Sequence, residues 1–391
     1  MSTVTQTQTQ TQPGTAVPAR LLSVPLAATF AAEFTSLTSF FLLLSVMPML
    51  AAAAGAGSSD AGLITGSLLL GTVAAEAAAA AAISRFGYRV VLAAGAVLLG
   101  APALAMLVPE PQAVMVSVSL VRGFGIVSGI PAIVALPAGI WLAGHHLAAA
   151  AAAMAATAGL LPLAAIRWLP GGREARRPAG ARMLPGAPDS RQLPGARGSR
   201  RVPGARGSRR MTGAALRLPL IFAAATVAAG VLDSFLPLAK GIPSNLSSAA
   251  LLVQAIVATL TRWQAGKRGD RYGHARLLIP ALAVAALGMV TMMALGSPAA
   301  IFAGMVLFGA GFGVIENATF ALMIEQLPEA KASALWNFAY DAGYGAGPAV
   351  FGLICVRTGY PAAFALTGAL ILAAVPAARR ERKAASAAQS A

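Results

Sequence analysis

Apolar runs of about 18 residues or more recur along most of this chain, and no other feature constrains its fold as tightly. The hydrocarbon core of a bilayer takes about 20 apolar residues per helical crossing. Within it every backbone N–H and C=O must be bonded inside the structure, so runs of this length read as helices. Charge agrees with lipid as the solvent: Asp, Glu, Lys and Arg make up 11% of the 391 residues, where a soluble domain carries about 25%. Cys355 is the one cysteine, which excludes an internal disulfide and a thiolate metal cluster.

Taking breaks at Gly, Pro or charge, the runs give eleven expected spans: 24–49, 61–83, 90–108, 113–143, 147–169, 216–239, 246–264, 277–295, 299–324, 333–356 and 361–378. A Thr/Gln leader, Thr5 to Gln12, lacks the basic start of a signal peptide, so residues 1–23 are expected to be a disordered tail and the first span to be retained. The spans divide into bundles at 24–170 and 214–378, with a linker at 171–213 and a cytoplasmic tail at 379–391.

The linker is rich in Pro, Gly and Arg and holds a tandem nonamer, Leu184 to Gln192, Leu193 to Arg201 and Val202 to Arg210. Its arginines, set against Glu174 and Asp189, supply most of the +16 net charge. No aromatic residues interleave with them, so the stacking groups of a nucleic-acid surface are missing and a solvated cytoplasmic connector is expected.

Features before the linker return after it in the same order. Arg85, Gly87 and Arg89 stand against Asp270-Arg271-Tyr272-Gly273 and Arg276; Met47-Pro48 stands against Leu236-Pro237; Gly123-Phe124-Gly125 stands against Gly311-Phe312-Gly313. The chain reads as a duplicated membrane unit.

The stretch Gly266, Asp270, Arg271, Gly273 and Arg276 resembles the cytoplasmic signature of the major facilitator superfamily. Arg122-Gly123-Phe124-Gly125 is similar to that family's span 4 arginine motif. Gly343 to Pro348, with Gly129, Pro131 and Pro137 in the first half, is similar to its antiporter-associated Gly/Pro motif. The resemblance implies an all-α, two-bundle fold of eleven to twelve helices, alternating access, and a proton gradient as the coupling ion with no cofactor. In the first half the signature departs from the pattern, with Ala80 for its first glycine and Ser84 for its acid.

Pairing Pro131 with Pro348 shifts the register by 29 residues relative to the preceding match, as though spans 4 and 5 had fused. A twelve-span topology with both termini cytoplasmic places all but Lys240 and Arg357 of the loop arginines and lysines inside, as the positive-inside rule requires; eleven literal crossings reverse most of them. The expected origin is a twelve-span parent with an internal deletion, leaving the first bundle one helix short.

Ionisable groups in a membrane are expensive and mark candidate machinery. The candidates for a proton or substrate pathway are Glu33, Arg122, Asp233, Glu316, Asn317, Asn337 and Asp341. Glu33 lies among Thr35, Ser36, Thr38 and Ser39, and Asn337 and Asp341, four apart, share a helix face. Glu76 is expected to make a structural helix-to-helix bond, and the Phe and Trp residues show no stripe. Arg85, Gly87, Arg89, Gly266, Asp270, Arg271, Gly273 and Arg276 form the expected cytoplasmic gate; Gly129, Pro131, Pro137, Gly343, Gly345, Gly347 and Pro348 are expected hinge and packing positions.

No Gly-x-x-x-x-Gly-Lys-Ser/Thr, His-Glu-x-x-His or Gly-x-Ser-x-Gly occurs, so ATP hydrolysis and the enzyme classes those motifs serve are not expected. The expected protein is a monomeric, multi-pass plasma-membrane carrier of small molecules, proton-coupled and running as an exporter. A transport-deficient remnant and an uptake carrier are the alternatives.

Overall fold

The computed structural model describes residues 24–107, 112–123, 140–142, 144–145, 147–165 and 216–390. The described residues are almost all helical and include no strand. The first group holds α1 (Val24–Ala53), α2 (Ser58–Phe86), α3 (Tyr88–Gly100, tightening to a 3-10 turn over Ala101–Leu107), α4 (Gln112–Gly123) and α5 (Ala148–Leu160). The second holds α6 (Arg217–Phe235), α7 (Ser244–Tyr272), α8 (His274–Thr291), α9 (Pro298–Gln326), α10 (Glu329–Ala373) and α11 (Val375–Ser390).

Eight helical stretches are long and apolar enough to cross a membrane. The longest, Lys331–Ala387, contains two legs, because Gly359 at φ 76° breaks α10 between the two expected spans. Two shorter apolar helices, Val114–Gly123 and Ala148–Ala164, stand where the fourth and fifth spans were expected. Residues 124–139, with Gly129, Pro131 and Pro137 and the expected fusion of spans 4 and 5, lie outside the described residues. The expected tail is a helix: Glu381 of α11 is only 4% exposed, accepts from Arg217 at 3.0 Å and from Gln326 at 3.1 Å, and so ties the chain end to α6 and α9.

The duplication is visible in the backbone. Gly87 (φ 84°) between α2 and α3 and Gly273 (φ 88°) between α7 and α8 adopt the same left-handed turn, and each N–H closes back onto the carbonyl four residues earlier, Ile83 and Gly269. A side chain at either φ meets a steric penalty, so the repeated glycine is a backbone requirement.

Small residues set the packing. Lipid tails offer no hydrophobic drive between helices, so close backbone approach carries much of the association. In the second group α6 packs on α10, and α9 lies between α7 and α8. Gly343 and Gly347 stand against Ala223 and Val227, and Gly309 and Gly313 against Gln254 and Ala258. In the first group Ser39 donates to the Ala155 carbonyl at 2.6 Å, and Gly100 faces Gly159.

The two groups meet along a seam made chiefly of α2 against the first leg of α10, antiparallel, with lighter contacts of α6 on α1 and α2. From the end opposite the Gly87 and Gly273 turns, Gly352 touches Ser58, Gly62 touches Pro348, and Gly66 and Leu69 touch Gly345. Thr65 and Ser234 then share a hydrogen bond of 3.1 Å.

Candidate transport pathway

Arg122, on α4, is 1% exposed and acts as a cross-brace. Its guanidinium donates to the Leu99 carbonyl at 2.5 Å and to Ser39 at 2.7 Å (carbonyl) and 3.3 Å (hydroxyl), joining α4 to α3 and α1. Leu99 lies in the last turn of α3, where carbonyls lose their helical partners, so a buried five-donor cation suits the place. The expected role of Arg122, supplying a cation to an approaching carboxylate, has no counterpart in these three bonds. Glu33 belongs to α1, but its side chain falls outside the described residues.

The other candidates gather in the second group, on α6, α7, α9 and α10. Asp233 accepts a hydrogen bond from the Tyr344 hydroxyl, joining α6 to α10. Glu316 is buried and accepts from Arg262 at 3.0 Å, joining α9 to α7. Asn317 lies next to Gly266 of α7. Asp341 is buried on α10, in the leg that packs on α2. Asn337 is half-buried one turn before it.

The expectation of scattered aromatics is corrected here. Trp336, Tyr340 and Tyr344 stack in sequence along α10, with centroids 6.0 and 5.4 Å apart. Phe222 of α6 stacks on Trp336 at 4.5 Å, and Phe320 of α9 meets it edge-on at 5.3 Å. The spacing of four within α10 puts the three rings on one face, but Phe222 is remote in sequence. Among the described residues, Ser248 Oγ, Asn317 Oδ1 and Trp336 Nε1 are buried without a hydrogen-bond partner. The Trp336 donor lies within the ring column, and the Asn317 acceptor follows Glu316 on α9, next to Gly266 of α7.

The helices around these groups carry the comparison with known proteins. Residues 219–391 match the family model of the Major Facilitator Superfamily. No curated protein sequence matches the chain. Among solved structures, the D-xylose-proton symporter superposes with TM-score 0.65 at 14% identity, over 90% of this chain and 96% of that one. The xylose transporter XylE from E. coli in an inward open conformation gives 0.63 at 14%, over 91% and 95%. The nucleoside transporter NupG gives 0.63 at 13%, over 90% and 98%. The fold is that of the Major Facilitator Superfamily.

In this Major Facilitator fold the α7–α8 turn and its charges form one end of the second group. Asp270 lies 3.9 Å from His274 Nε2, and Glu325 of α9 lies 3.9 Å from His274 Nδ1, so the imidazole sits between two carboxylates of different helices. His274 was absent from the sequence candidates, since a histidine inside a basic loop carries no distinctive spacing. Arg271 and Arg276 are exposed and border a cleft of about 510 Å³ that α11 completes with Arg382 and Ser386. In the first group Arg85 lies over the Phe86 ring at 5.4 Å.

Proposed function

We propose that this chain is a proton-coupled carrier of small polar molecules that works by alternating access. The observation that carries the reading is Asp341, a carboxyl buried at the seam where the two helix groups touch. Carriers of this architecture place coupling groups near the bilayer midplane and rock one half against the other around them. A carboxyl there binds a proton when open to one side and releases it when open to the other. Asp233 and Glu316 lie deeper in the second group, bonded to Tyr344 and Arg262, and form with Asn317 and Trp336 the substrate face.

The arginine-rich turns are assigned to the cytoplasm on charge, so the glycine seam closes the outer side. Export in exchange for protons is the proposed direction, supported by the resemblance of Gly343 to Pro348 to the antiporter motif. Symport is the second reading, favoured by the printed function of the D-xylose-proton symporter.

The test is proton flux in proteoliposomes, read by an interior pH dye, against a panel of sugars, nucleosides and lipophilic cations. Substrate-dependent proton movement that is lost in Asp341→Asn supports the reading, and its sign relative to substrate flow separates exchange from symport. Flux unchanged in Asp341→Asn removes Asp341 from the coupling path. No flux with any compound favours a transport-deficient chain.

A further inference from the structure

We propose that the cleft between the α7–α8 turn and α11 is a binding site for the phosphate headgroup of an anionic phospholipid, with Arg271, Arg276 and Arg382 as its donors. This goes beyond transport and shares with the preceding reading only the assignment of the arginine-rich turns to the cytoplasmic side.

The argument begins with where the membrane ends. Leu252, Ile256, Leu260 and Trp263 of α7 are all exposed and recur every three or four residues, so they form one outward apolar stripe. The stripe closes with Lys267, whose ammonium lies 3.6 Å from the centre of the Trp263 ring. An exposed indole capped by a lysine at the end of such a stripe marks the level where acyl chains give way to headgroups. Arg271 follows one turn later on the same face and is exposed. One wall of the cleft therefore stands at the headgroup layer, on the side that faces lipid.

The opposite wall is α11. Its inward face carries Ala378 and Glu381, with Ala385 half-buried, and packs on α6 and α8. A basic amphipathic helix lying free at an interface sinks its apolar face into the acyl layer; here that face is already taken by protein. Glu381 accepts from Arg217 at 3.0 Å and from Gln326 at 3.1 Å, which fixes the rotation of the helix. Arg379, Arg380, Arg382 and Lys383 are left exposed, and Arg382 borders the cleft.

The cleft of about 510 Å³ falls within the range of about 300–1,000 Å³ typical of sites for small organic ligands. Its two acids, Asp270 and Glu325, each lie 3.9 Å from a nitrogen of the His274 imidazole, whereas among the described residues none of Arg271, Arg276 and Arg382 is in an ion pair. Ser386 donates to the Arg382 carbonyl at 3.0 Å, so its hydrogen is spent within α11. Three guanidiniums, one each from α7, α8 and α11, thus border one opening. Each is a planar fork of donors that matches phosphate oxygens two at a time. The quaternary ammonium of a zwitterionic choline headgroup would offset that attraction, so a lipid with net negative charge is the fit.

The test is native mass spectrometry of the full-length chain in neutral detergent, titrated with phosphatidylglycerol or phosphatidylcholine and with no substrate present, so its outcome is independent of transport. One phosphatidylglycerol is expected to bind at least tenfold more tightly than later ones and than phosphatidylcholine. Arg276→Gln and Arg382→Gln are each expected to weaken that first site about fivefold, and the pair about 25-fold. Arg379→Gln with Arg380→Gln removes two charges from the same helix outside the cleft lining and is expected to leave the site within about twofold. Equal losses in the two pairs overturn the site in favour of a diffuse basic surface, and equal binding of the two lipids overturns it as well. Displacement of the first lipid by inorganic phosphate at the same concentration overturns the lipid as occupant and makes the cleft a site for a free anion.

Discussion

Gly352→Ala is a perturbation whose size can be worked from the seam itself. A Cβ at this position falls 2.6 Å from the Ser58 carbonyl oxygen and 3.1 Å from its carbon, and both are backbone atoms that cannot swing aside. Ordinary contact begins at 3.4 Å, so α2 and α10 must separate by about 0.8 Å at that point. Overpacking of this kind costs about 1–3 kcal/mol. The alanine's own gain in helix propensity applies to α10 in every conformation and cancels from the comparison. The steric cost is felt only when the seam is closed, so the closed-to-open ratio falls by about 5- to 150-fold. Labels at Ala54→Cys and Arg357→Cys read the ratio directly as two distance populations. Gly296→Ala is the control, because a Cβ there meets nothing within 4 Å. If Gly352→Ala and Gly296→Ala give the same distance distribution, the seam does not separate during the cycle and the alternating-access reading fails at its first step.

Two further outcomes follow from the same geometry. Glu381→Ala removes the acceptor shared by Arg217 and Gln326 and frees α11 at a cost of about 1–2 kcal/mol; trypsin cleavage within Arg379–Lys383 should quicken about 5- to 30-fold, and an unchanged rate would show that α11 is held by its apolar contacts alone. Gly273→Ala forces a side chain into φ 88°, at about 1–2 kcal/mol; the thermal midpoint in detergent should drop relative to Gly296→Ala, and equal midpoints would mean the turn relaxes freely.

What could be read from the residues was whatever depends on local pattern. Apolar length located the long helices outside 113–169, and α2 and α9 extend only a few residues beyond the expected 61–83 and 299–324. The glycine of each basic turn was legible because a left-handed φ admits few alternatives, and both halves use it alike. Contacts between distant residues were not legible. Trp336, Tyr340 and Tyr344 stack by their spacing of four on one helix, but Phe222, which packs on Trp336, comes from more than a hundred positions earlier. Ser39 looked like one of several hydroxyls near Glu33, yet it anchors both Arg122 and Ala155. Glu381 sat in a charged stretch that read as solvated, and its burial depends on Arg217 at the other end of the second group.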